Sequence, residues 1–575
     1  MSGAITQEVR RQRLKTRALP LIAIALVAFV VGAVTGCPGT PNREAANRYL
    51  DSWQARDYAS MHSELSTASQ EALPLESFEQ GYVEAEATAT LQSLETAEAD
   101  GDEDTVEVPV TASTLAFGTV SQTMNFTFGS DGIAWQSNLL FPGLEQGEQL
   151  SREIRLPQRA SILARKGEVM VEGPSLARSY PLGDAMIDVT GAVGTSDEEP
   201  TEAAVAAGFS PSEPIGVSGL ELAYNARLAG KPGGKLMAVP LESEEDAEGR
   251  VLGEGEPARA KPLLTTIDAE LQASAVANLA GQLGGVAVLD AKRGNIRALA
   301  GQAYSVLQPP GSTMKIVTVT AGLETGKTTM DTEYEFATSG VADGREIRNA
   351  YGEVCGGDLV ESFADSCNSV FAPMGMEIGE EQMTETAEAF GFNQVPEIFS
   401  DEAAAAILPP TPTIPQPGEY NNELGVSAIG QGTVQATPLT MASTAQTIAN
   451  DGVRLPTPIA AERVLRSDAG PVTVTTPKVA AQVNELMVAV VTSGTGIAAA
   501  IGEGQVAGKT GTAEVGPSGE LDEEGEPILV ENAWFTGYAP AENPKLVVGV
   551  MIIDASAGGG TVAAPIAGAI LSDGL

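Results

Sequence analysis

The chain has 575 residues, enough for about three domains of ordinary size, and a formal net charge of −43. With a pI near 4.2 it lacks the basic face that nucleic-acid binding needs, so we expect no nucleic-acid partner and interpret the charge as a source of solubility. A single histidine, His62, nearly excludes a Ser-His-Asp triad and any metal site that needs two histidines, so nucleophilic chemistry would need lysine as its base.

The first segment of the chain indicates export. An uncharged apolar run from Leu19 to Val34 follows five basic residues, which are Arg10, Arg11, Arg13, Lys15 and Arg17. Val34-Thr35-Gly36-Cys37 then resembles a bacterial lipobox, which predicts that residues 1–36 are a signal cleaved before a lipid-modified Cys37. The alternative is an uncleaved transmembrane anchor, for which the run is slightly shorter than the usual length of about 20 residues. Both interpretations place the rest of the chain outside the cytoplasm.

After a short tether at residues 37–43, residues 44–146 read as an α+β domain. Helical spacing predicts one buried helix face made of Ala46, Tyr49, Leu50 and Trp53. A turn is expected over Asp100–Asp104, between strands. The alternation of apolar and polar residues further predicts a strand with four apolar side chains on one face, namely Val120, Met124, Phe126 and Phe128.

Residues 147–261 form a second, looser segment. It contains acidic stretches at 197–202 and 242–256, which we interpret as solvated loops without a partner. We therefore treat it as a separate segment between the first domain and residues 262–575.

Three short motifs lie in the last segment. In chain order they are Ser312-Thr313-Met314-Lys315, Ser366-Cys367-Asn368 and Lys509-Thr510-Gly511-Thr512. Pro309-Pro310-Gly311 cannot continue a helix, so a helix is predicted to begin at Ser312, with Lys315 on the same face. The alternation from Lys509 to Val515 predicts a strand that pairs with 533–539 across an acidic loop at 522–524.

The motifs, their order and their flanks resemble the penicillin-binding transpeptidases and serine β-lactamases over residues 262–575. The resemblance implies an α+β multidomain chain whose catalytic domain is a penicilloyl-serine transferase fold, a five-stranded antiparallel sheet with helices. Residues 44–146 resemble the cone-shaped N-terminal domain of methicillin-resistance-type penicillin-binding proteins. Arg159–Gly167 resembles a signature of the class B non-catalytic, dimerisation-type domain, from which Ala160 and Ala164 depart.

The same resemblance implies roles for the motif residues. Ser312 would be the nucleophile, Lys315 the base, and Ser366 a proton relay. Asn368 would bind the substrate amide, while Lys509 and the hydroxyls of Thr510 and Thr512 would hold its terminal carboxylate. Gly511 would let a peptide approach the strand edge. The backbone N–H groups of Ser312 and Thr512 would form the oxyanion hole. Lys315 acts as a base only when neutral, so burial and the charge of Lys509 would have to lower its pKa.

Two cysteines remain besides Cys37. Cys355 and Cys367 are twelve positions apart, and in an oxidising compartment such a pair predicts a disulfide that tethers the second motif. The alternative is a pair of inert buried thiols.

Together these features predict an anchored, extracytoplasmic class B penicillin-binding protein. As a D,D-transpeptidase it would need no metal or organic cofactor. The expected partners are peptidoglycan stem peptides, β-lactams, the cytoplasmic membrane and, from the family, a polytopic glycan polymerase. A D,D-carboxypeptidase, a β-lactamase and a catalytically weak wall-assembly scaffold or β-lactam-binding protein remain as alternatives.

Overall fold

The structure is a computed structural model that describes residues 41–101, 104–195, 214–241, 249–399, 407–462, 470–502, 505–521 and 527–575. The expected signal, Cys37 and the acidic loop at 522–524 lie outside these residues, as do the whole acidic stretch at 197–202 and residues 242–248 of the second one. Within the described part of the chain, no helix is both long and apolar enough to span a bilayer. The chain forms two compact units, which are described separately.

The first unit contains residues 41–157 and Lys231–Ala258. Its helices are Pro41–Gln54, Tyr58–Ser63, Thr67–Ala72 and Leu75–Ala89, with a 3₁₀ turn at Ser137–Leu139. One antiparallel sheet consists of Leu91–Thr96, Asp100–Gly101, Thr105–Thr114 and Thr119–Thr127. A second contains Glu148–Arg155, Gly233–Pro240 and Arg250–Gly255.

The spacing of apolar residues explains the core of this unit. Ala46, Tyr49, Leu50 and Trp53 are all buried on one face of the first helix, as their periodicity predicts. Val120, Met124 and Phe126 are buried on one face of their strand, and Phe128 packs against the same core. Their aromatic rings pack edge to face, with the Tyr49 and Phe126 centroids 5.6 Å apart.

The second unit contains the described residues of 158–230 and all those after Ala258. Its first part carries short strands at Ile162–Leu163, Val169–Val171, Val193–Gly194, Ile215–Gly216 and Leu263–Leu264. The helices there are Ile187–Thr190, Gly219–Ala223 and Asn225–Ala229, with a 3₁₀ turn at Asp184–Met186. Glu221 is fully buried and forms ion pairs with both Arg159 and Arg178, each with a nitrogen–oxygen distance of 2.6 Å. These ion pairs connect the segments of this part.

The expected five-stranded antiparallel sheet lies in the rest of this unit. Its spatial order is Ile296–Gly301, Gly284–Asp290, Leu546–Ala555, Pro527–Ala539 and Ala507–Leu521. Alternate residues of the strands face two apolar layers, with Val286 and Val288 in one and Ala287 and Leu289 in the other. The last strand, with the third motif, is left at an edge of the sheet.

Helices cover both faces of this sheet. The helices that pack on its strands are Ala269–Leu279, Pro438–Ala449, Pro477–Thr492 and Ala563–Asp573. The other helices of this part are Lys315–Glu324, Leu359–Ala364, Asn368–Ile378, Glu380–Phe390 and Leu424–Ala428. Short strand pairs complete the unit at Tyr334–Ala337 with Cys355–Gly357, Ser339–Ala342 with Arg345–Arg348, and Val453–Arg454 with Val472–Thr473. Further 3₁₀ turns lie at Gly311–Met314, Ala350–Gly352 and Ile497–Ala499.

Candidate active site

Ser312 lies on a tight turn, at the point where the chain enters the helix Lys315–Glu324. A regular helix was expected from Ser312, but the structure has a 3₁₀ turn over Gly311–Met314 and an α-helix only from Lys315. Two contacts tighten this turn, since the Thr313 hydroxyl donates to the Pro310 carbonyl at 2.7 Å and the Gly311 N–H donates to the Gly430 carbonyl at 2.9 Å. The turn leaves Ser312 half-buried, next to a fully buried Lys315.

Lys315 is held by the second motif. Its Nζ donates to the Ser366 carbonyl at 2.6 Å and to Asn368 Oδ1 at 2.7 Å, and lies 3.2 Å from Ser366 Oγ. A neutral amine has two N–H groups, which can donate to the Ser366 carbonyl and to Asn368 Oδ1. Its lone pair is then free to accept a hydrogen bond from a hydroxyl group. Burial, together with the charge of Lys509, holds the pKa of Lys315 well below its ordinary value. The geometry therefore suits a neutral amine that accepts a proton.

Ser366 lies between the two motif lysines. Lys509 Nζ donates to its hydroxyl at 2.8 Å, and Lys315 Nζ lies 3.2 Å from the same oxygen. The Ser366 backbone is in the left-handed region, with φ of 63°, which is uncommon for a residue with a side chain and is typical of functional turns. The Asn368 amide nitrogen donates to the Arg348 carbonyl at 2.9 Å, so Asn368 orients Lys315 through its oxygen.

Lys509 is fully buried on the edge strand. Burial lowers the pKa of Lys509 to about 7, so its charge is sensitive to pH in the neutral range. Its Nζ lies 5.5 Å from the centre of the Phe363 ring, a distance typical of a cation–π contact. Thr510 is buried next to it, whereas Thr512 is half-buried and its hydroxyl accepts the Gly559 N–H at 3.3 Å.

Gly511 is required for a reason that the sequence did not reveal. A Cβ at this position would lie 2.7 Å from the Pro310 carbonyl and 3.1 Å from Thr313 Cγ2. A Cβ at Gly311, whose φ is 54°, would likewise lie 2.6 Å from the Thr512 carbonyl. The two glycines let the strand approach the turn that carries Ser312, and this close packing sets the distance between the first and third motifs.

Cys355 and Cys367 are joined by a disulfide, with Cα atoms 5.8 Å apart. The bond connects the strand Cys355–Gly357 to the residue between Ser366 and Asn368. It therefore ties the second motif to a neighbouring sheet.

Two residues near the third motif were not predicted from the sequence. The Thr495 hydroxyl lies 2.6 Å from the Thr510 hydroxyl, next to the position expected to bind a carboxylate. Tyr351 is 73 % exposed, and its hydroxyl donates to Glu531. Thr495 and Thr510 are 15 positions apart and Tyr351 and Glu531 are 180 apart, so neither pair forms a local motif.

The side chains of this site determine which reaction it can support. A serine lies on the turn that leads into the helix of a buried amine, a second hydroxyl lies within hydrogen-bonding distance of that amine and of another, and a strand with a free edge carries the third motif. The hydrogen bonds that described residues make to Lys315, Ser366 and Lys509 involve carbonyl, amide and hydroxyl groups and no carboxylate. These groups can support serine acyl transfer with lysine as the base.

Comparisons with known proteins agree with this geometry. The model of the penicillin-binding protein transpeptidase domain matches residues 284–572, half of the chain. The penicillin-binding protein dimerisation domain matches 173–262, and the NTF2-like N-terminal transpeptidase domain matches 41–148.

Relatives with established names match parts of the chain. The peptidoglycan D,D-transpeptidase PbpA of Mycolicibacterium smegmatis is 34 % identical over 48 % of this chain and 57 % of its own length. The peptidoglycan D,D-transpeptidase MrdA of Acinetobacter baumannii is 27 % identical over 69 % of this chain and 67 % of its own length. The chain thus spans little more than half the length of the mycobacterial relative.

Solved structures share the fold. The D,D-transpeptidase domain of a peptidoglycan glycosyltransferase from Eggerthella lenta covers 73 % of this chain and 98 % of its own, with 25 % identity and a TM-score of 0.56. Pseudomonas aeruginosa PBP2 covers 73 % of this chain and 96 % of its own, with 22 % identity and a TM-score of 0.58, a likeness of fold alone. With the transpeptidase model matching half of its length and the two accessory domains matching before it, the chain belongs to the penicillin-binding protein transpeptidase family and has the domain set of class B.

Proposed function

We propose that the protein is an extracytoplasmic D,D-transpeptidase that cross-links peptidoglycan stem peptides through an acyl-Ser312 intermediate. The observation that carries the proposal is the Ser366 hydroxyl, which lies 3.2 Å from the Lys315 amine and 2.8 Å from the Lys509 amine. Two buried amines around one hydroxyl supply a base and a proton path without a histidine.

In the proposed acylation, neutral Lys315 takes the proton of Ser312 as Oγ bonds to the carbonyl carbon of the penultimate D-alanine. The backbone N–H groups of Ser312 and Thr512 stabilise the oxyanion. The C–N bond then breaks, and Lys315 returns the proton through Ser366 to the departing D-alanine. Charged Lys509, with the hydroxyls of Thr510 and Thr512, holds the terminal carboxylate during this step.

In the second half-reaction a stem-peptide amine attacks the ester carbonyl. The amine gives up a proton through the same hydroxyl and lysine, and Ser312 leaves with a proton restored. The absence of a carboxylate from the hydrogen bonds of these groups, within the described part of the chain, supports an amine over an activated water as the second nucleophile. By the same chemistry a β-lactam would acylate Ser312, as the resemblance implies.

The proposal includes the anchor and the domain division. Residues 1–36 would be a cleaved signal and Cys37 the lipid-bearing residue that holds the protein at the outer face of the membrane, with 37–43 as its tether. Domains would span 44–146, 147–261 and 262–575, and the first of them would lift the catalytic domain from the membrane. A polytopic glycan polymerase is the partner that would supply nascent strands.

Product analysis tests the reaction. Purified protein is incubated with a donor peptide ending in D-alanyl-D-alanine and with an amine acceptor, and products are identified by mass spectrometry. We expect a cross-linked product that grows with acceptor concentration, and no product with Ser312→Ala. Hydrolysed donor alone at every acceptor concentration would instead indicate a carboxypeptidase, and no turnover of any kind would indicate a scaffold.

A further inference from the structure

A cavity of about 350 Å³ lies in the second unit, and the residues that line it include none of the three motifs. Its walls are the end of the helix Glu380–Phe390, one side of the helix Pro438–Ala449 and residues 454–457. Small-molecule sites in proteins have volumes of about 300–1,000 Å³. The cavity is therefore large enough to hold a small molecule.

Part of the cavity wall is apolar. Phe390, Pro412 and Leu439 line the cavity and are buried, and Leu455 and Val472 line it and are half-buried. Transfer of apolar surface from water to such a wall is favourable in proportion to the area that is covered. A ligand that fits this cavity therefore has an apolar body.

The cation Arg454 also lines the cavity. Its Nε donates to the Ala389 carbonyl at 2.8 Å, in the last turn of the helix Glu380–Phe390, and its Nη2 donates to Gln394 Oε1 at 2.9 Å. These two hydrogen bonds cap the end of the helix. Nη1 has no such role, because it donates to no group among the described residues. It lies 3.3 Å from the position of a Cβ on Gly391, another residue of the cavity wall.

The positive charge of Arg454 is partly removed from water without an ion pair in return. Burial lowers the pKa of this half-buried guanidinium, which nevertheless stays protonated at neutral pH. Glu397 lines the same cavity and raises the pKa of Arg454 through its charge, but the described part of the chain places no carboxylate within 4 Å of the guanidinium. A carboxylate that reaches Nη1 would supply the missing partner, and a hydrogen bond between two charged groups is stronger than one between neutral groups.

We propose that this cavity is a binding site for a small monocarboxylate with an apolar body. The carboxylate accepts a hydrogen bond from Nη1 of Arg454, and the body lies against Phe390, Leu439 and Leu455. The site is separate from the catalytic residues, and the inference does not rest on the proposed function.

Two acids and their neutral analogues are the probes. They are 4-phenylbutyrate with 4-phenylbutyramide, and octanoate with octanamide, so that each pair differs in charge and shares an apolar body. The Kd of each probe is measured by ligand-observed NMR titration of the full-length protein. The titration is repeated after acylation with penicillin, because the catalytic site contains a lysine that also attracts carboxylates.

Four variants locate the site. Arg454→Gln removes the charge, and Ser443→Leu extends a side chain of the wall into the cavity while Arg454 is kept. Leucine has a higher helix propensity than serine, so Ser443→Leu should fold. Glu397→Gln removes a negative charge that repels the acids. Arg345→Gln is the matched control, since Arg345 also donates to a backbone carbonyl, that of Asn422 at 3.0 Å, and does not line the cavity.

We expect each acid to bind about tenfold tighter than its amide or more, and Arg454→Gln to remove this preference. Ser443→Leu should weaken binding of all four probes, and Glu397→Gln should strengthen binding of the acids. Arg345→Gln and acylation by penicillin should leave every Kd unchanged.

Four results would overturn the inference: no binding of either acid to the unsubstituted protein, equal affinity for acid and amide, a preference for acids that Arg454→Gln retains, or unchanged binding in Ser443→Leu. Loss of binding after acylation would place the acids in the catalytic site and would overturn it as well. A protein that penicillin fails to acylate would instead contradict the proposed function, and the variants would still decide whether the cavity binds the acids.

Discussion

The protonation states of two buried lysines govern the proposed chemistry. Acylation needs Lys315 neutral, to accept the proton of Ser312, and Lys509 charged, to hold a carboxylate. Burial lowers both pKa values, and the charge of Lys509 lowers that of Lys315 further. We therefore expect the two requirements to be met over an intermediate pH range, in which Lys315 has lost its proton and Lys509 still keeps its own.

This order predicts a bell-shaped pH profile for acylation by penicillin. The second-order rate constant should rise as Lys315 loses its proton and should fall near the Lys509 pKa of about 7. Lys509→Met should move the rising limb to higher pH, because it removes a positive charge near Lys315, and should abolish the falling limb. Stopped-flow or mass-spectrometric rates at each pH provide the measurement.

Lys509→Arg is the matched control for charge. It keeps a cation that stays protonated, so the falling limb should disappear while the rising limb stays near its original pH. A rising limb in Lys509→Met at the same pH as in the unsubstituted protein would show that the lysines are not coupled as described.

At the scale of elements, three contacts between separate segments bring the motifs of the site together. The strand Ala507–Leu521 packs against the turn Gly311–Met314 through Gly511 and Gly311, and Gly430 accepts the hydrogen bond that starts the turn. The disulfide ties the Ser366 turn to the strand Cys355–Gly357. These contacts fix the relative positions of the three motifs before a substrate binds.

Reduction of the disulfide should therefore affect the site more than the fold. It opens a loop of 12 residues, for which the chain-entropy model gives roughly 3 kcal/mol. We expect mild reduction to slow acylation by penicillin while most of the thermal transition is retained. Cys355→Ser with Cys367→Ser should reproduce the effect without reductant. Two thiols that react with an alkylating agent in the native, unreduced protein would contradict the account.

Local pattern predicted some elements well and others not at all. The helix at Pro41–Gln54 and the pairing of the third-motif strand with residues 533–539 followed from periodicity and agree with the structure. The 3₁₀ turn at Ser312 did not follow, because a hydrogen bond to Gly430, far along the chain, tightens it. The positions of Thr495 and Tyr351 depend on contacts between distant segments in the same way.

The whole molecule combines a strongly acidic chain with a site whose two lysines, Lys315 and Lys509, are buried. The net charge of −43 keeps the exterior negative, whereas the site holds two amines at its centre. The NTF2-like domain has its own aromatic core of Tyr49, Trp53, Phe78, Tyr82 and Phe126.

The mode of attachment to the membrane is a prediction at this scale. From Val34-Thr35-Gly36-Cys37 we expect the mature protein to begin at a lipid-modified Cys37. Intact-mass analysis of protein extracted from membranes should show loss of residues 1–36 and a lipid increment, and Cys37→Ser should keep the precursor unprocessed. An unprocessed N-terminus in the unsubstituted protein would favour a transmembrane anchor instead.

The central claim is that Ser312 is the nucleophile and Lys315 its base, and mapping of a penicillin adduct tests it most directly. The protein is incubated with penicillin, digested and analysed by mass spectrometry. We predict one drug mass on a peptide containing Ser312, none in Ser312→Ala despite an unchanged melting transition, and a rate lower by about 10²–10⁴-fold in Lys315→Ala. An adduct on another serine, or a normal rate in Lys315→Ala, would contradict the assignment of the active site.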